Sequence, residues 1–128
     1  MDWKLEDGRP IWTQLAEQLE RRIITGAYPP GSRLPSVREL AAEAGVNPNT
    51  MQRALAELER DGLVYSQRTA GRFVTEDDTM IDAAKRSLAG RHVKTFLEAM
   101  LRLGFQREEI IDLIGQGLGE EGTDDAGA

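Results

Sequence analysis

Cysteine is absent from this 128-residue chain, and histidine occurs once, at His92. The first absence excludes disulfides, thiolate metal sites and cysteine nucleophiles, and the second leaves no imidazole pair for a metal centre. No nucleophile stands beside a base and no phosphate-loop motif occurs, so neither an enzyme nor a cofactor or metal site is expected. Long apolar runs are missing too. No stretch approaches about 18 apolar residues, and no basic start leads into an apolar segment, so no membrane span or secretory signal is expected and a cytoplasmic location is. Excess positive charge is also lacking, since 16 Lys and Arg face 22 Asp and Glu for a net charge of −6.

What is present is 40% hydrophobic content, ordinary for a chain that folds one compact domain plus a short appendage. Residues 32–74, SRLPSVRELAAEAGVNPNTMQRALAELERDGLVYSQRTAGRFV, are the most informative part. Ser36 stands where an N-cap belongs, and Glu39, three positions on, completes a capping box. Val37, Leu40, Ala41 and Ala44 follow at helical spacing, and Gly45 ends the helix. After a turn closed by Val46, Asn47 caps a second helix with Pro48 at its first position, where a missing N–H costs nothing. Met51, Ala54, Leu55, Leu58 and Leu63 form the apolar stripe here, leaving Asn49, Thr50, Gln52, Arg53 and Glu57 outside it. Two helices joined by a Gly-containing turn, with polar groups on the second helix's first turns, make a helix-turn-helix whose second helix enters the major groove. Asn and Gln side chains suit adenine there, and Arg suits guanine or phosphate.

Gly62 closes the second helix, and Leu63, Val64, Tyr65 and Ser66 alternate as a strand. Arg68, Thr69, Ala70 and Gly71 form a turn before a second strand over residues 72–75. The hairpin holds two arginines and no acid, so its tip places positive charge where a wing meets phosphates or the minor groove.

The stretch from residue 11 to residue 74 resembles the DNA-binding domain of the GntR family of bacterial transcription regulators, over about residues 10–76 of this chain. The motifs G-x-x-x-P-G-x-x-L-P-S-x-R-E-L-A, A-L-x-x-L-x-x-x-G-L-V and G-x-F-V occur in register. V-N-P-N-T-x-Q-R-A, with a brief helical tail after the wing, resembles the short YtrA-type subfamily. The resemblance implies that Arg33, Ser36 and Arg38 lie toward the phosphates and that Asn47, Asn49, Thr50, Gln52 and Arg53 face the groove. In the wing, Arg68, Thr69 and Arg72 meet DNA, and Gly71 lets the tip come close. Many family members carry Ser-Arg or Thr-Arg where Asn47 and Pro48 stand, so the arginine contact of those members does not transfer to position 48. Small regulators of this subfamily often control transporter operons.

The negative net charge argues against a DNA reader, because phosphate neutralisation supplies most non-specific affinity. Its distribution softens the objection. Residues 1–76 hold ten Lys and Arg against eleven Asp and Glu, a net of −1, while residues 77–128 hold six against eleven, a net of −5. The reader is near neutral, so binding would depend on local placement of arginines and on two domains acting together. A winged-helix protein-interaction module is the alternative from a different class.

Upstream, residues 11–24 read as an amphipathic helix with Ile11, Leu15, Leu19 and Ile23 inward, ended by Gly26. Trp3 and Leu5 suggest an extended lead-in strand lying on this helix or on a second subunit. Tyr28, Pro29, Pro30 and Gly31 mark a turn. Over residues 77–117, apolar residues including Met80, Ile81, Ala84, Leu88, Val93, Phe96, Leu97, Met100 and Leu101 recur at helical spacing. Gly104 breaks the run, and a second helix carries Ile110, Ile111, Leu113, Ile114 and Leu118. Such a face is too wide for two helices to bury alone, so a second copy of the chain is the expected cover, with folding back on the reader as the alternative. The expected dimer interface is Ile81, Leu88, Val93, Phe96, Leu97, Met100, Leu101, Ile110 and Ile114. Met80, Phe96 and Met100 would also suit a small apolar effector of unknown identity. The reading is thus a mainly α fold with a small β-wing: a winged helix-turn-helix over 1–76, a helical dimerisation hairpin over 77–118 and a disordered acidic tail over 119–128. Its expected function is that of a homodimeric repressor bound to a double-stranded, inverted-repeat operator.

Overall fold

The structure, a computed structural model, describes residues 2–127, with side chains described as far as residue 120. Its elements in chain order are α1 (Ile11–Ile24), α2 (Val37–Ala44), α3 (Pro48–Arg60), β1 (Val64–Gln67), β2 (Gly71–Val74), α4 (Asp78–Arg102) and α5 (Arg107–Gly127). Two compact units divide the chain, Met1–Ser87 and Leu88–Ala128. No described helix is long and apolar enough to cross a membrane.

In the first unit, apolar stripes on three helices converge. Leu15, Leu19 and Ile23 of α1, Leu40 and Ala41 of α2, and Met51, Ala54, Leu55 and Leu58 of α3 are buried, with Leu34, Leu63, Val64 and Val74 closing the core from the wing side. Each large aliphatic side chain fully buried here contributes about 1.5–3 kcal/mol. Ile81 and Ala84, on the first turns of α4, pack against this same core. Ile81, assigned from the sequence to an interface between copies, is therefore partly covered by its own reader domain, and the first compact unit runs past residue 76 to Ser87.

The helix ends explain the turns. The Ser36 hydroxyl accepts the Glu39 N–H at 3.1 Å, but the Glu39 side chain makes no return bond, so only half of the expected capping box forms. At the other end of α2, Gly45 takes a left-handed conformation (φ 70°). Val46 N–H then reaches the Ala41 carbonyl at 3.0 Å, satisfying carbonyls the helix leaves open. The same device recurs at Gly62, from which Leu63 N–H reaches the Leu58 carbonyl at 3.0 Å.

The lead-in segment lies on α1, the first of the two placements expected for it. Buried Gln14 accepts the Glu6 N–H (2.7 Å) and donates to the Glu6 and Arg9 carbonyls (2.9 and 3.0 Å). Gln18 exchanges a similar pair of bonds with Lys4. Arg22 stacks on the Trp3 ring at 4.0 Å and donates to the Asp2 carbonyl at 2.9 Å.

In the second unit, α4 ends at a left-handed Gly104 (φ 95°), and the Gln106 N–H is capped by Glu109 at 2.9 Å before α5 begins. Ile110 is the buried side chain of this unit among the described residues. Val93, Leu97, Leu101, Ile111, Leu113, Ile114 and Leu118 are exposed. Residues 119 and 120 continue α5, and the expectation of disorder for 121–128 lies outside the residues whose side chains are described.

Candidate nucleic-acid interface

The placement of α3 follows from its stripe. Because Met51, Ala54, Leu55 and Leu58 face α1 and α2, the first turns present Asn49, Gln52 and Arg53 to solvent, with Thr50 half-buried. Asn47 starts the helix, its side-chain oxygen accepting the Asn49 N–H at 2.7 Å. That oxygen is committed to the cap, and the amide nitrogen is the group it can still offer a base. The Arg53 guanidinium lies 4.2 Å above the Trp12 ring of α1, a contact that holds a cation in place without neutralising it. Nothing in the local sequence around either residue signals this pairing, because they sit on different helices.

The wing is wider than the hairpin expected from sequence. β1 and β2 pair antiparallel, with Tyr65 opposite Phe73, Ser66 opposite Arg72 and Gln67 opposite Gly71. A third extended segment joins them: Arg33 bridges Phe73, Leu34 N–H donates to the Arg72 carbonyl and Val74 N–H to the Ser32 carbonyl, both at 2.9 Å. This pairing brings Arg33 to the wing. Gly71 has φ 106°, a backbone conformation that favours glycine, and an added Cβ would stand 3.0 Å from Arg33 Nε and press that side chain aside. Thr69 at the tip holds a left-handed φ of 63°, unusual for a β-branched residue and strained by about 1–3 kcal/mol.

Between the wing and the start of α2 lies a groove of about 440 Å³ lined by Arg33, Ser36, Gln67, Thr69, Gly71 and Arg72. Five of the residues expected to meet DNA are thus gathered on one concave surface with Gln67 among them. Arg38 stands in the first turn of α2, and Arg68 is exposed at the wing tip. Among the described residues, Arg33, Arg38 and Arg68 have no ion-pair partner. Arg72 differs: its Nε donates to Glu59 of α3 at 2.8 Å, with side chains only 20% and 32% exposed. The Ser66 hydroxyl donates to the same carboxylate oxygen. The Ser66 bond first, and the Arg72 guanidinium after it, hold the Glu59 carboxyl below its ordinary range, against the opposing effect of partial burial.

Comparison with known proteins fits this geometry. A family model described as "Bacterial regulatory proteins, gntR family" matches residues 12–74, the span that holds all three reader helices and the wing. The HTH-type transcriptional regulator YhcF of Bacillus subtilis is 38% identical over 112 residues, covering 88% of this chain and 93% of that protein. This chain belongs to the GntR family. The HTH-type transcriptional repressor YtrA of the same organism is 32% identical, with 82% of each chain covered. Among solved structures, a GntR family transcriptional regulator from Listeria monocytogenes superposes with a TM-score of 0.81 at 38% identity, over 88% of this chain and 98% of that one. As a GntR-family protein, the chain is a DNA-binding transcription regulator and not an enzyme. Its architecture is a winged helix-turn-helix with a two-strand wing, followed by two C-terminal helices. It resembles the short YhcF and YtrA regulators.

Proposed function

We propose that this regulator works in the cytoplasm as a homodimeric repressor, seated on an inverted-repeat operator through the first turns of α3 and the wing. The observation that carries this reading is the exposed polar face of α3, where Asn49, Gln52 and Arg53 stand clear of the core on an element shaped for the major groove. In this reading Thr50 and the free amide of Asn47 complete the base-reading edge, while Arg33, Arg38, Arg68 and the amides around Ser36 meet phosphate.

Dimerisation rests on two further features. The reader alone is near neutral, so one copy makes few phosphate contacts, and a tethered second copy binds at high effective concentration. The second unit supplies an apolar surface for that tether: a groove of about 570 Å³ lined by Val93, Phe96, Leu97, Leu113, Ile114 and Leu118. Leu88, Met100 and Leu101 extend the proposed interface along α4, whereas Ile110, expected there from sequence, is already buried inside its own hairpin and has no surface to offer a partner. Repression follows the similarity to YtrA, whose name describes a repressor, and the resemblance to that subfamily makes a transporter operon the proposed target.

Capture of genomic fragments by the purified protein tests the whole reading. The enriched fragments should share an inverted repeat with half-site centres about 10–10.5 base pairs, or a multiple, apart, and sedimentation should give twice the 14.2 kDa chain mass. Fragments sharing only a single half-site, or a monomeric mass with the operator bound, would refute the dimeric repressor.

A further inference from the structure

An acidic residue near the C-terminal end of a recognition helix is out of place on two counts. The helix dipole there disfavours negative charge, and a carboxylate beside a DNA-binding surface repels phosphate. Glu59 nevertheless occupies that position on α3. Its surroundings supply the compensation. Ser66 and Arg72 are directly opposed in the β1–β2 register, so their side chains leave the same face of the wing. Both donate to one Glu59 oxygen. A single carboxylate therefore ties the recognition helix to both strands of the wing, through charge-assisted bonds that are partly shielded from water.

We infer that Glu59 is a positioning and specificity-setting residue: it seats the wing on the recognition helix and withholds Arg72 from the phosphates. The inference rests on the reading that the wing meets the duplex. It divides the wing cations into two classes. Arg68 and Arg33 are available to phosphate, whereas Arg72, expected from sequence to be a third contact, spends its charge inside the protein. A regulator gains selectivity this way, because each cation offered to phosphate strengthens binding to every sequence alike, whereas a fixed wing angle favours only duplexes that also fit α3.

The test uses the full-length chain and five variants: Arg72→Ala, Arg68→Ala, Glu59→Gln, Glu59→Ala and the double variant Glu59→Gln with Arg72→Ala. Affinity for a random duplex and for the captured operator is measured from 50 to 200 mM salt. One phosphate contact changes the slope of log affinity against log salt by about 0.9, or roughly 3-fold over that salt range. Arg72→Ala alone leaves Glu59 an unpaired carboxylate beside the duplex and should weaken operator and random binding alike, so the cation is isolated by removing it in the Glu59→Gln background. Glu59→Gln keeps an acceptor oxygen without the charge, so it should steepen the slope on random DNA by up to about 0.9 per copy and lower the ratio of operator to random affinity. The double variant should return to the wild-type slope. A double variant with a slope flatter than wild type would overturn the proposal, as would one that kept the steeper slope. Arg68→Ala separates the underlying reading, since an unchanged slope there means that the wing does not meet DNA. The seating claim has its own readout in the free protein. Amide exchange in β2 should quicken at least tenfold in Glu59→Ala and less in Glu59→Gln, and unchanged exchange would overturn it.

Discussion

Placing a carboxylate at position 97 should split the proposed dimer, and the size of the effect can be worked out. Leu97 is 39% exposed in the single chain and lines two apolar cavities among the described residues of the second unit, which puts it near the centre of the proposed interface. If a partner covers this site, Leu97→Glu buries a carboxyl with no cation designed to meet it. Such a group takes up a proton rather than remain charged. At pH 7, protonating a carboxyl of ordinary pKa about 4.3 costs 1.36 kcal/mol for each of about 2.7 pH units, or roughly 3.7 kcal/mol per copy. Two copies give about 7 kcal/mol, which raises the dimer dissociation constant by about 10⁵. Helix content should persist, since the side chain is not part of the buried core of either unit. Sedimentation at micromolar concentration should then show monomer at pH 7, with dimer recovering toward pH 5, where the same protonation costs only about 1 kcal/mol per copy. Leu97→Glu that stays dimeric at pH 7, or that dissociates equally at both pH values, would refute the placement of Leu97 in the interface.

Other perturbations address the reader unit. Arg53→Ala should lower the preference for operator over random duplex about 5- to 150-fold, the loss of one bidentate base contact worth roughly 1–3 kcal/mol, because a guanidinium held over Trp12 is placed as a fixed donor toward the groove; Trp12→Leu should reproduce part of that loss in the same gel-shift titration. Gly62→Ala should destabilise the fold by about 1–2 kcal/mol in urea unfolding, since Gly62 has φ 80° and an added Cβ would meet the Met80 methyl at 2.5 Å, which must then swing aside. Glu59 should support stability above about pH 4.5 and lose that support as pH falls through its depressed folded value; acid unfolding of Glu59→Gln should accordingly show a shallower decline than wild type below that pH.

Much of the fold was legible because it is locally encoded. The α1 bounds, the Ser36 and Asn47 caps, Pro48 at the first helical position and the left-handed Gly45, Gly62 and Gly104 all act within one turn of chain, and each stands where the sequence placed it. What sequence reasoning missed depends on contacts between distant positions. The third wing segment carries no strand signal of its own between the Pro-rich turn and α2, because its partners lie some 40 residues downstream. A charge tally of the hairpin cannot see the carboxylate that pairs Arg72, because Glu59 is 13 residues away and becomes its neighbour only after the hairpin closes on α3. Ile81 has the same helical spacing as Leu88 and Phe96, and periodicity alone cannot say that its turn of α4 lies on the reader core. For the candidate interface, residue types and helix faces were readable, whereas the pairing of Arg53 with Trp12 and the closeness of Arg33 to Gly71 required the folded chain.

The measurement that bears most directly on DNA reading by α3 is a competition between the captured operator and a scrambled duplex of equal length at 150 mM salt, made with the intact protein and with Gln52→Ala. Gln52 is exposed and contributes nothing to the apolar stripe, so the variant should fold as the wild type does. The account predicts an operator preference of about 10³ or more for the intact protein, falling about 5- to 150-fold with the loss of one bidentate base contact worth roughly 1–3 kcal/mol. Equal affinity for the two duplexes, or a preference that Gln52→Ala leaves unchanged, would contradict it.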